Sequence, residues 1–218
     1  MLLENQAATM LQLQDKMNAK VNPDWLAVKS PFLRAVVIEG SEAIEHHGWK
    51  WWKKQECDLE QLQMELVDIW HFLLSAVLIE HDGEQQASKA TVMAQIEGHS
   101  VDFDGKTYQF NELDLLAKLE LLIGLSAAKR INIGLFTTLL ADCQMSWVDL
   151  YTQYICKNVL NFFRQDNGYK QGTYIKEWAG KEDNEHLVEI MAELDAADAA
   201  FQDNLYQALD SRYKSLNT

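Results

Sequence analysis

Proline and glycine are scarce in this chain, and this scarcity constrains the fold more than any other feature of the sequence. Of the 218 residues, 2 are proline and 10 are glycine. Because these two residues punctuate turns and strands more often than any others, a chain with so few of them favours helices. Apolar residues recur at helical spacing from the start, as in Met10, Leu11, Leu13 and Met17. The sequence therefore predicts an all-α bundle of about five or six helices.

Local signals indicate where these helices begin and end. A hydroxyl residue followed by proline is typical of a helix start, so we expect a helix from Ser30-Pro31 to Gly48. Asp58 resembles the first residue of a capping box and predicts a second helix that ends near Gly83. The other expected helices, placed by their apolar spacing, cover residues 3–19, 111–126, 135–164 and 185–209.

Residues 84–110 interrupt the helical pattern. Residues 101–110 alternate between apolar and polar around Asp104-Gly105, which is typical of a β-hairpin with a tight turn. We therefore expect a single domain over residues 1–218, with an insertion at about 84–110 and a short β-hairpin near 101–110.

Charge and cysteine usage exclude several classes of partner. The chain has 33 acidic and 19 basic residues and a formal net charge of −14. A surface that binds nucleic acid or an anionic membrane needs clustered lysine and arginine, so neither partner is expected. The 3 cysteines show no paired spacing, the N-terminus lacks the pattern of a signal peptide, and no segment has the ~18 uninterrupted apolar residues of a membrane span. We expect a cytoplasmic protein.

Two pairs of acidic residues indicate the chemistry. Each pair is spaced three positions apart, so that both carboxylates lie on one face of a helix: Glu39 with Glu42, and Glu65 with Asp68. One such pair is most often a solvated helix face. The second pair, however, lies in an apolar helix, and no lysine or arginine occurs between residues 54 and 89. Since ionised carboxylates beside a core are costly unless paired or metal-bound, two pairs on consecutive helices favour a metal site.

The donor atoms indicate which metal such a site would bind. A ferritin-like di-iron site would have a histidine where this chain has Asp68. Ligation by oxygen alone suits Mg²⁺, with Mn²⁺ as a substitute, and two or more ions fit four carboxylates. Mg²⁺ held by carboxylates most often serves to bind a polyphosphate.

Two segments rich in basic and aromatic residues are suited to a nucleotide. Residues 46–54 contain three tryptophans and three lysines, which would form either part of the core or a stacking and phosphate-binding surface. Lys157, Asn161 and Arg164 share one helical stripe. The Asn161 amide is either an ordinary surface group or a match to the edge of a pyrimidine. Arg164, Tyr169 and Lys170 are candidate phosphate contacts.

The chain resembles the dimeric, all-α dUTP diphosphatases, a branch of the all-α NTP pyrophosphatase superfamily that includes the MazG-type enzymes. The resemblance lies in EGSEAIEHHGWKWWKK, ELVDIWHFLLS and KNVLNFFRQDNGYKQGTY, and covers roughly residues 10–80 and 111–185. The acidic pattern marks only the superfamily, whereas the tryptophan-rich segment and NGYK are more specific to the dUTPase branch. The resemblance implies a homodimer that hydrolyses dUTP, and also dUDP, to dUMP with release of pyrophosphate or phosphate, by attack at the β-phosphate.

The resemblance also implies roles for individual residues. Mg²⁺ would be bound by Glu39, Glu42, Glu65 and Asp68, and Glu39 would activate the attacking water. Uracil would be read by Asn161 and by Gln14, or by Gln12 if the alignment shifts by half a turn. Trp51 would line the uracil pocket, and Phe72 would pack under the deoxyribose. The expected substrate-binding residues are Gln14, Asn18, Trp51, Phe72, Lys157, Asn161, Arg164, Asn167, Tyr169 and Lys170.

Two other functions stay open at this point. A related pyrophosphohydrolase would prefer dCTP or a modified deoxynucleotide, because an amide such as that of Asn161 can flip to suit either uracil or cytosine. A non-enzymatic helical bundle would bind metal without hydrolysing any nucleotide. The three histidines near the acidic motifs, His46, His47 and His71, are expected to be structural.

Overall fold

The computed structural model describes residues 1–194 and 200–216 and confirms the all-α class. Within these residues it contains ten α-helices: α1 Glu4–Val21, α2 Trp25–Val28, α3 Phe32–His47, α4 Leu59–Glu80, α5 Gln85–Gln95, α6 Leu115–Ala127, α7 Ile133–Asp142, α8 Trp147–Asp166, α9 Asp183–Glu193 and α10 Phe201–Leu216. Two short antiparallel hairpins pair β1 Ser100–Phe103 with β2 Lys106–Gln109, and β3 Glu177–Trp178 with β4 Lys181–Glu182. A 3₁₀ turn covers Phe110–Glu112.

Helix α4 is the centre of the main core. It packs against α1, α3, α5, α7 and α8, and it is apolar on nearly all sides. The Trp70 ring stacks on Phe136 at 5.1 Å and meets Trp147 edge-on at 5.2 Å. Each such side chain stabilises the fold by about 1.5–3 kcal/mol when fully buried. Although α4 is long and apolar enough to cross a membrane, most of it is buried inside the protein, as in the core helix of a globular fold.

Helix α8 connects this core to a second apolar cluster. Its N-terminal half packs in the main core through Trp147 and Tyr154, whereas Phe163 lies in the second cluster with Trp178. Helices α9 and α10 complete the second cluster through Leu187, Ile190, Phe201, Leu205 and Leu209. One face of α8 is thereby left to line the cavity described below.

Several helix ends agree with the sequence signals. The side chain of Asp58 caps α4 by accepting a hydrogen bond from the backbone N–H of Gln61 at 3.2 Å. Gly48 ends α3 with a φ of 85°, a conformation that is easy for glycine. The β1–β2 turn has positive φ at both Asp104 and Gly105, as a two-residue hairpin turn requires.

The helices are more numerous than the five or six expected. The range 135–164 is broken into α7 and α8, because Ser146 starts a new helix with a capping box to Asp149. The range 185–209 contains α9 and α10, and its residues 195–199 lie outside the described part of the chain. The insertion also contains α5 beside the expected hairpin. At the start of α3, Pro31 itself occupies the N-cap position and no side chain caps the helix, so the cap expected from Ser30 is wrong.

Candidate active site

A cavity of about 400 Å³ opens between α1, α3, α4 and α8. It brings together residues that are far apart in the sequence. Its lining includes Gln14, Met17, Asn18, Trp25, Phe32, Glu39, Asp68, His71, Phe72, Lys157, Asn161, Arg164 and Tyr169. Gln14 is buried and lines the cavity, whereas Gln12 is exposed, which favours Gln14 of the two expected glutamines.

Three carboxylates converge at the wall of this cavity, which Glu39 lines. Oxygen atoms of Glu39, Glu42 and Glu65 all lie within 4.8 Å of one another. The first two come from one face of α3, and Glu65 faces them from α4, which packs along α3. Gly40 helps to fix α3 on its other neighbour, because a Cβ there would lie 2.8 Å from the Ile123 side chain on α6. We call Glu39, Glu42 and Glu65 the acidic cluster.

Burial and repulsion between neighbouring carboxylates raise the pKa values of two members of the acidic cluster. Burial, followed by the charges of Asp68 and Glu42, raises the pKa of Glu39 to about 7. Burial, followed by the charges of Asp68 and Glu39, raises the pKa of Glu65 to about 8. The imidazole of His46 lies 3.5 Å from a Glu65 oxygen. Such a set of oxygens is stabilised by a cation placed between them, and a donor set of carboxylates fits Mg²⁺ or Mn²⁺.

Asp68, the fourth expected ligand, lies beside the cluster rather than in it. Its Oδ2 atom forms an ion pair with Lys157 Nζ at 2.9 Å. It is nevertheless close enough to raise the pKa of both Glu39 and Glu65. No basic residue lies near Asp68 in the sequence, but the fold brings Lys157 next to it from α8.

A chain of buried hydrogen bonds fixes the amides on the α1 side of the cavity. Ser75 donates to the backbone carbonyl of His71 at 2.9 Å and accepts from the Asn18 amide nitrogen at 3.0 Å. The Asn18 oxygen accepts from Gln14 Nε2 at 3.0 Å. Gln14 Oε1 in turn accepts from the Tyr154 hydroxyl at 2.9 Å and from His71 Nδ1 at 2.8 Å. The carbonyl of Gln14 is therefore satisfied inside the protein, and among the described residues one N–H of its amide has no acceptor and can bind a ligand.

Aromatic rings form the apolar wall of the cavity. Phe72, one turn after Asp68 on α4, stacks on Phe32 with ring centroids 6.4 Å apart. Trp25 meets Phe32 edge-on at 6.1 Å. Sequence reasoning missed Trp25 and Phe32, because they flank what reads as a loop and an N-terminal helix turn, and no local pattern places them against Phe72.

Three of the expected substrate-binding residues do not line the cavity. Trp51 is 86% exposed and packs edge-on against Trp49 and Trp52. The Asn167 amide donates to the backbone carbonyl of Phe163 at 2.9 Å, at the C-cap of α8. Lys170 Nζ donates to the carbonyl of Val21 at 2.6 Å, at the end of α1. A role for these three residues in binding stays a prediction.

A family model described as dUTPase matches residues 6–169. The chain belongs to the dUTPase family. No curated protein matches it significantly. The match covers about three quarters of this dUTPase, including the acidic cluster and every residue named above as lining the cavity. Family membership identifies the chain as an enzyme that hydrolyses dUTP, and the non-enzymatic alternative is not supported.

His71 is a residue of this dUTPase that sequence reasoning treated only as structural. It lines the cavity, its ring stacks on Tyr154 at 4.1 Å, and its Nδ1 helps to fix Gln14. Burial lowers the pKa of His71 to about 3, so the ring is neutral. The contact with Gln14 spans 57 positions in the sequence, and no motif could have indicated it.

Proposed function

We propose that this dUTPase is a Mg²⁺-dependent dUTP diphosphatase that also accepts dUDP and releases dUMP with pyrophosphate or phosphate. The proposed enzyme is a single-domain, cytoplasmic homodimer without a nucleic-acid or membrane partner. The observation that carries the proposal is the position of the acidic cluster, at one end of a cavity whose other surfaces offer fixed amides, aromatic rings and basic groups.

In this proposal the acidic cluster holds two or more Mg²⁺ ions together with Asp68, and Mn²⁺ can replace them. The donor set supports it, because three carboxylates crowd together at the cavity without a lysine or arginine between their oxygens in the described part of the chain. Divalent ions at such a site neutralise phosphate oxygens and lower the pKa of a bound water.

Glu39 is the proposed general base. It lies in the cavity wall beside Glu42 and Glu65, where its carboxylate can accept a proton from an attacking water. In this scheme Glu39 would hold the water for in-line attack at the β-phosphorus and take its proton. The bond from the β-phosphorus to the α–β bridging oxygen would break, so that dUMP leaves and the water oxygen ends in pyrophosphate. Glu42 and Glu65 keep their roles as ligands.

Gln14 and Asn161 are the proposed readers of the base. Uracil presents two carbonyl oxygens on either side of an N–H, so a fixed amide N–H is a suitable partner for one of those oxygens. Gln14 meets this requirement because its oxygen is already bound by Tyr154 and His71. Asn18 supports Gln14 from the other side.

Phe72 is the proposed support for the deoxyribose. Its ring forms part of the apolar wall with Phe32 and Trp25, and a ribose 2′-hydroxyl packed there would lose its hydrogen bonds to water. The polyphosphate would be contacted by Lys157, Arg164 and Tyr169, and by Asn167 and Lys170 from the segment that follows α8. Trp51 would join the site only if its loop moves towards the cavity.

A nucleotide panel tests this function. Each deoxynucleoside triphosphate, dUDP and UTP are incubated with Mg²⁺, with Mn²⁺ and with EDTA, and the products are identified. We expect dUTP and dUDP to be consumed first, dUMP to accumulate, and EDTA to stop the reaction. Equal turnover of dCTP and dUTP would instead favour the related pyrophosphohydrolase, and full activity in EDTA would contradict the metal site.

A further inference from the structure

Two cavity residues on α8 are held from behind by the first turn of α9. Lys157 and Arg164 line the cavity, and both donate hydrogen bonds to side chains at the start of α9. The partners are Asp183 and Asn184, which lie outside the range 6–169 that the family model matches. A segment beyond the matched range therefore reaches the active site through two basic side chains.

The Arg164–Asp183 contact is a buried two-point ion pair. Arg164 Nε donates to Asp183 Oδ2 at 2.7 Å, and Nη2 donates to Oδ1 at 2.7 Å. The Asp183 side chain is fully buried, and the Arg164 side chain is only 11% exposed. The Tyr174 hydroxyl donates a further hydrogen bond to Asp183 at 2.9 Å. Because Arg and carboxylate meet as a planar fork, this pair fixes the plane of the guanidinium as well as its position.

The third guanidinium nitrogen of Arg164, Nη1, contacts Asn161, the proposed base reader. Nη1 donates to Asn161 Oδ1 at 3.2 Å, and Nη2 also reaches Asn184 Oδ1 at 3.3 Å. Of the five N–H groups of the guanidinium, four then have acceptors among the described residues. With its oxygen held by Arg164, the Asn161 amide can turn its nitrogen, and not its oxygen, towards other partners.

Asn184 makes the corresponding contact with Lys157. Its Oδ1 atom accepts from Lys157 Nζ at 3.0 Å, and the same Nζ lies 2.9 Å from Asp68 Oδ2. Lys157 is 3% exposed, so both contacts are made away from bulk water. The start of α9 is thus linked to two residues that line the cavity, through Arg164 to Asn161 and through Lys157 to Asp68.

We propose that Asp183 and Asn184 are positioning residues for base selection, which hold Arg164 so that the Asn161 amide keeps a single orientation. This inference rests on the proposed function, in which Asn161 reads the base. An amide of fixed orientation distinguishes uracil from cytosine, whereas an amide free to flip serves both. Neither Asp183 nor Asn184 is expected to touch the substrate.

The test is the selectivity of Asp183→Asn, measured as the ratio of kcat/KM for dUTP to that for dCTP. The variant replaces one acceptor of the guanidinium by an amide nitrogen, so the two-point pair cannot form. We expect the ratio to fall about tenfold, the size of one lost hydrogen bond to a charged group. A ratio of two rates does not depend on the fraction of active enzyme, so a purely structural loss leaves it unchanged.

The matched control is Glu189→Gln, which removes an exposed carboxylate from the same helix. Glu189 pairs with Lys181 and Arg212, away from the cavity, and its loss is expected to leave the ratio at the wild-type value. A Glu189→Gln ratio that falls as far as that of Asp183→Asn contradicts the proposal, because the effect then comes from any charge change on α9.

Asn184→Ala keeps the proposal testable if Asp183→Asn does not fold. It removes the acceptor shared by Lys157 and Arg164, and we expect the ratio to fall about threefold, as for a weak neutral hydrogen bond. A wild-type ratio in every variant that folds overturns the positioning role alone. A wild-type enzyme that shows no preference for dUTP over dCTP overturns the proposed function, and this inference with it.

Discussion

The two ends of the cavity treat buried charge in opposite ways. At the acidic end, Glu39, Glu42 and Glu65 crowd together, and burial with mutual repulsion raises the pKa of two of them. At the basic end, the two cations on α8 already have acceptors from α4 and α9. In the proposed function the acidic end would be stabilised by an ion from outside, whereas the basic end is completed by the chain itself.

The difference has an energetic reason. Leaving a buried charge without a partner costs several kcal/mol, about 3–5 kcal/mol when one member of a buried pair is removed. The protein offsets this cost at the basic end with permanent contacts, which fix geometry. At the acidic end the raised pKa values of Glu39 and Glu65 mean that bound protons relieve the repulsion when no cation is present, and in the proposed function a divalent cation would take their place. Selectivity should accordingly depend on the basic end, and turnover on the acidic end.

Glu39→Gln should break the acidic end most severely. Without a carboxylate to take the proton of the attacking water, we expect kcat for dUTP to fall about 10³-fold, within the range for a lost general base. Binding of the nucleotide with Mg²⁺ should survive, because Glu42 and Glu65 remain. Steady-state rates and calorimetric titration of dUTP measure the two quantities separately.

Glu45→Gln is the control for this substitution. Glu45 lies on the same helix but is exposed and bonds to Trp49 and Lys50, so its loss should leave kcat within about twofold. If Glu39→Gln loses nucleotide binding together with turnover, Glu39 is an indispensable ligand and not the base.

Asn161→Ala should break the opposite end, with a smaller effect of a different kind. We expect discrimination of dUTP against dCTP to fall about tenfold, because one base-reading amide is lost. Affinity for the phosphates should change less. Dissociation constants of dUDP and dCDP for the variant measure this directly, and an equal loss for the two diphosphates would show that Asn161 does not read the base.

The acidic end of the cavity should also make the melting temperature depend on pH, an effect smaller than those of the two substitutions above. Glu39 and Glu65 have pKa values of about 7 and about 8 in the folded protein, above their ordinary value of 4.5. Their stabilising contribution is therefore complete below about pH 4.5 and is lost as the pH rises through 7 and 8. Without divalent ions, the melting temperature should fall by a few degrees between pH 5 and pH 8.5.

Two further melting curves complete this comparison. Mg²⁺ added at pH 8.5 should restore the melting temperature to its value at pH 5, since the ion binds only the folded state. Glu65→Gln should flatten the metal-free curve, because one of the repelling carboxylates is gone. An unchanged slope in Glu65→Gln would mean that the pH dependence arises from other groups.

The sequence predicts those parts of the fold that depend on neighbouring residues. The Asp58 cap, the Gly48 stop and the turn at Asp104-Gly105 are local, and all three are found. The break between α7 and α8 was missed because neither glycine nor proline marks it. Its signal was nevertheless present, in the capping-box spacing of Ser146 and Asp149.

In the candidate site, too, the features that depend on local spacing were predicted, and those that depend on contacts between distant helices were not. Spacing on two helices predicted a cluster of Glu39, Glu42, Glu65 and Asp68, since helical periodicity sets which side chains share a face, and the first three are found together. It could not indicate that Asp68 pairs with Lys157, because α8 joins α4 only in the folded chain. The contacts of Asp183 and Asn184 on α9 could not be predicted for the same reason.

The most direct test of the acidic end is anomalous diffraction from a crystal grown with Mn²⁺ and a non-hydrolysable dUTP analogue. The account predicts metal peaks between α3 and α4, within about 2.0–2.2 Å of carboxylate oxygens of Glu39, Glu42 and Glu65, with the analogue's phosphates on their far side. A crystal that contains the analogue but shows no metal peak at these oxygens would contradict it.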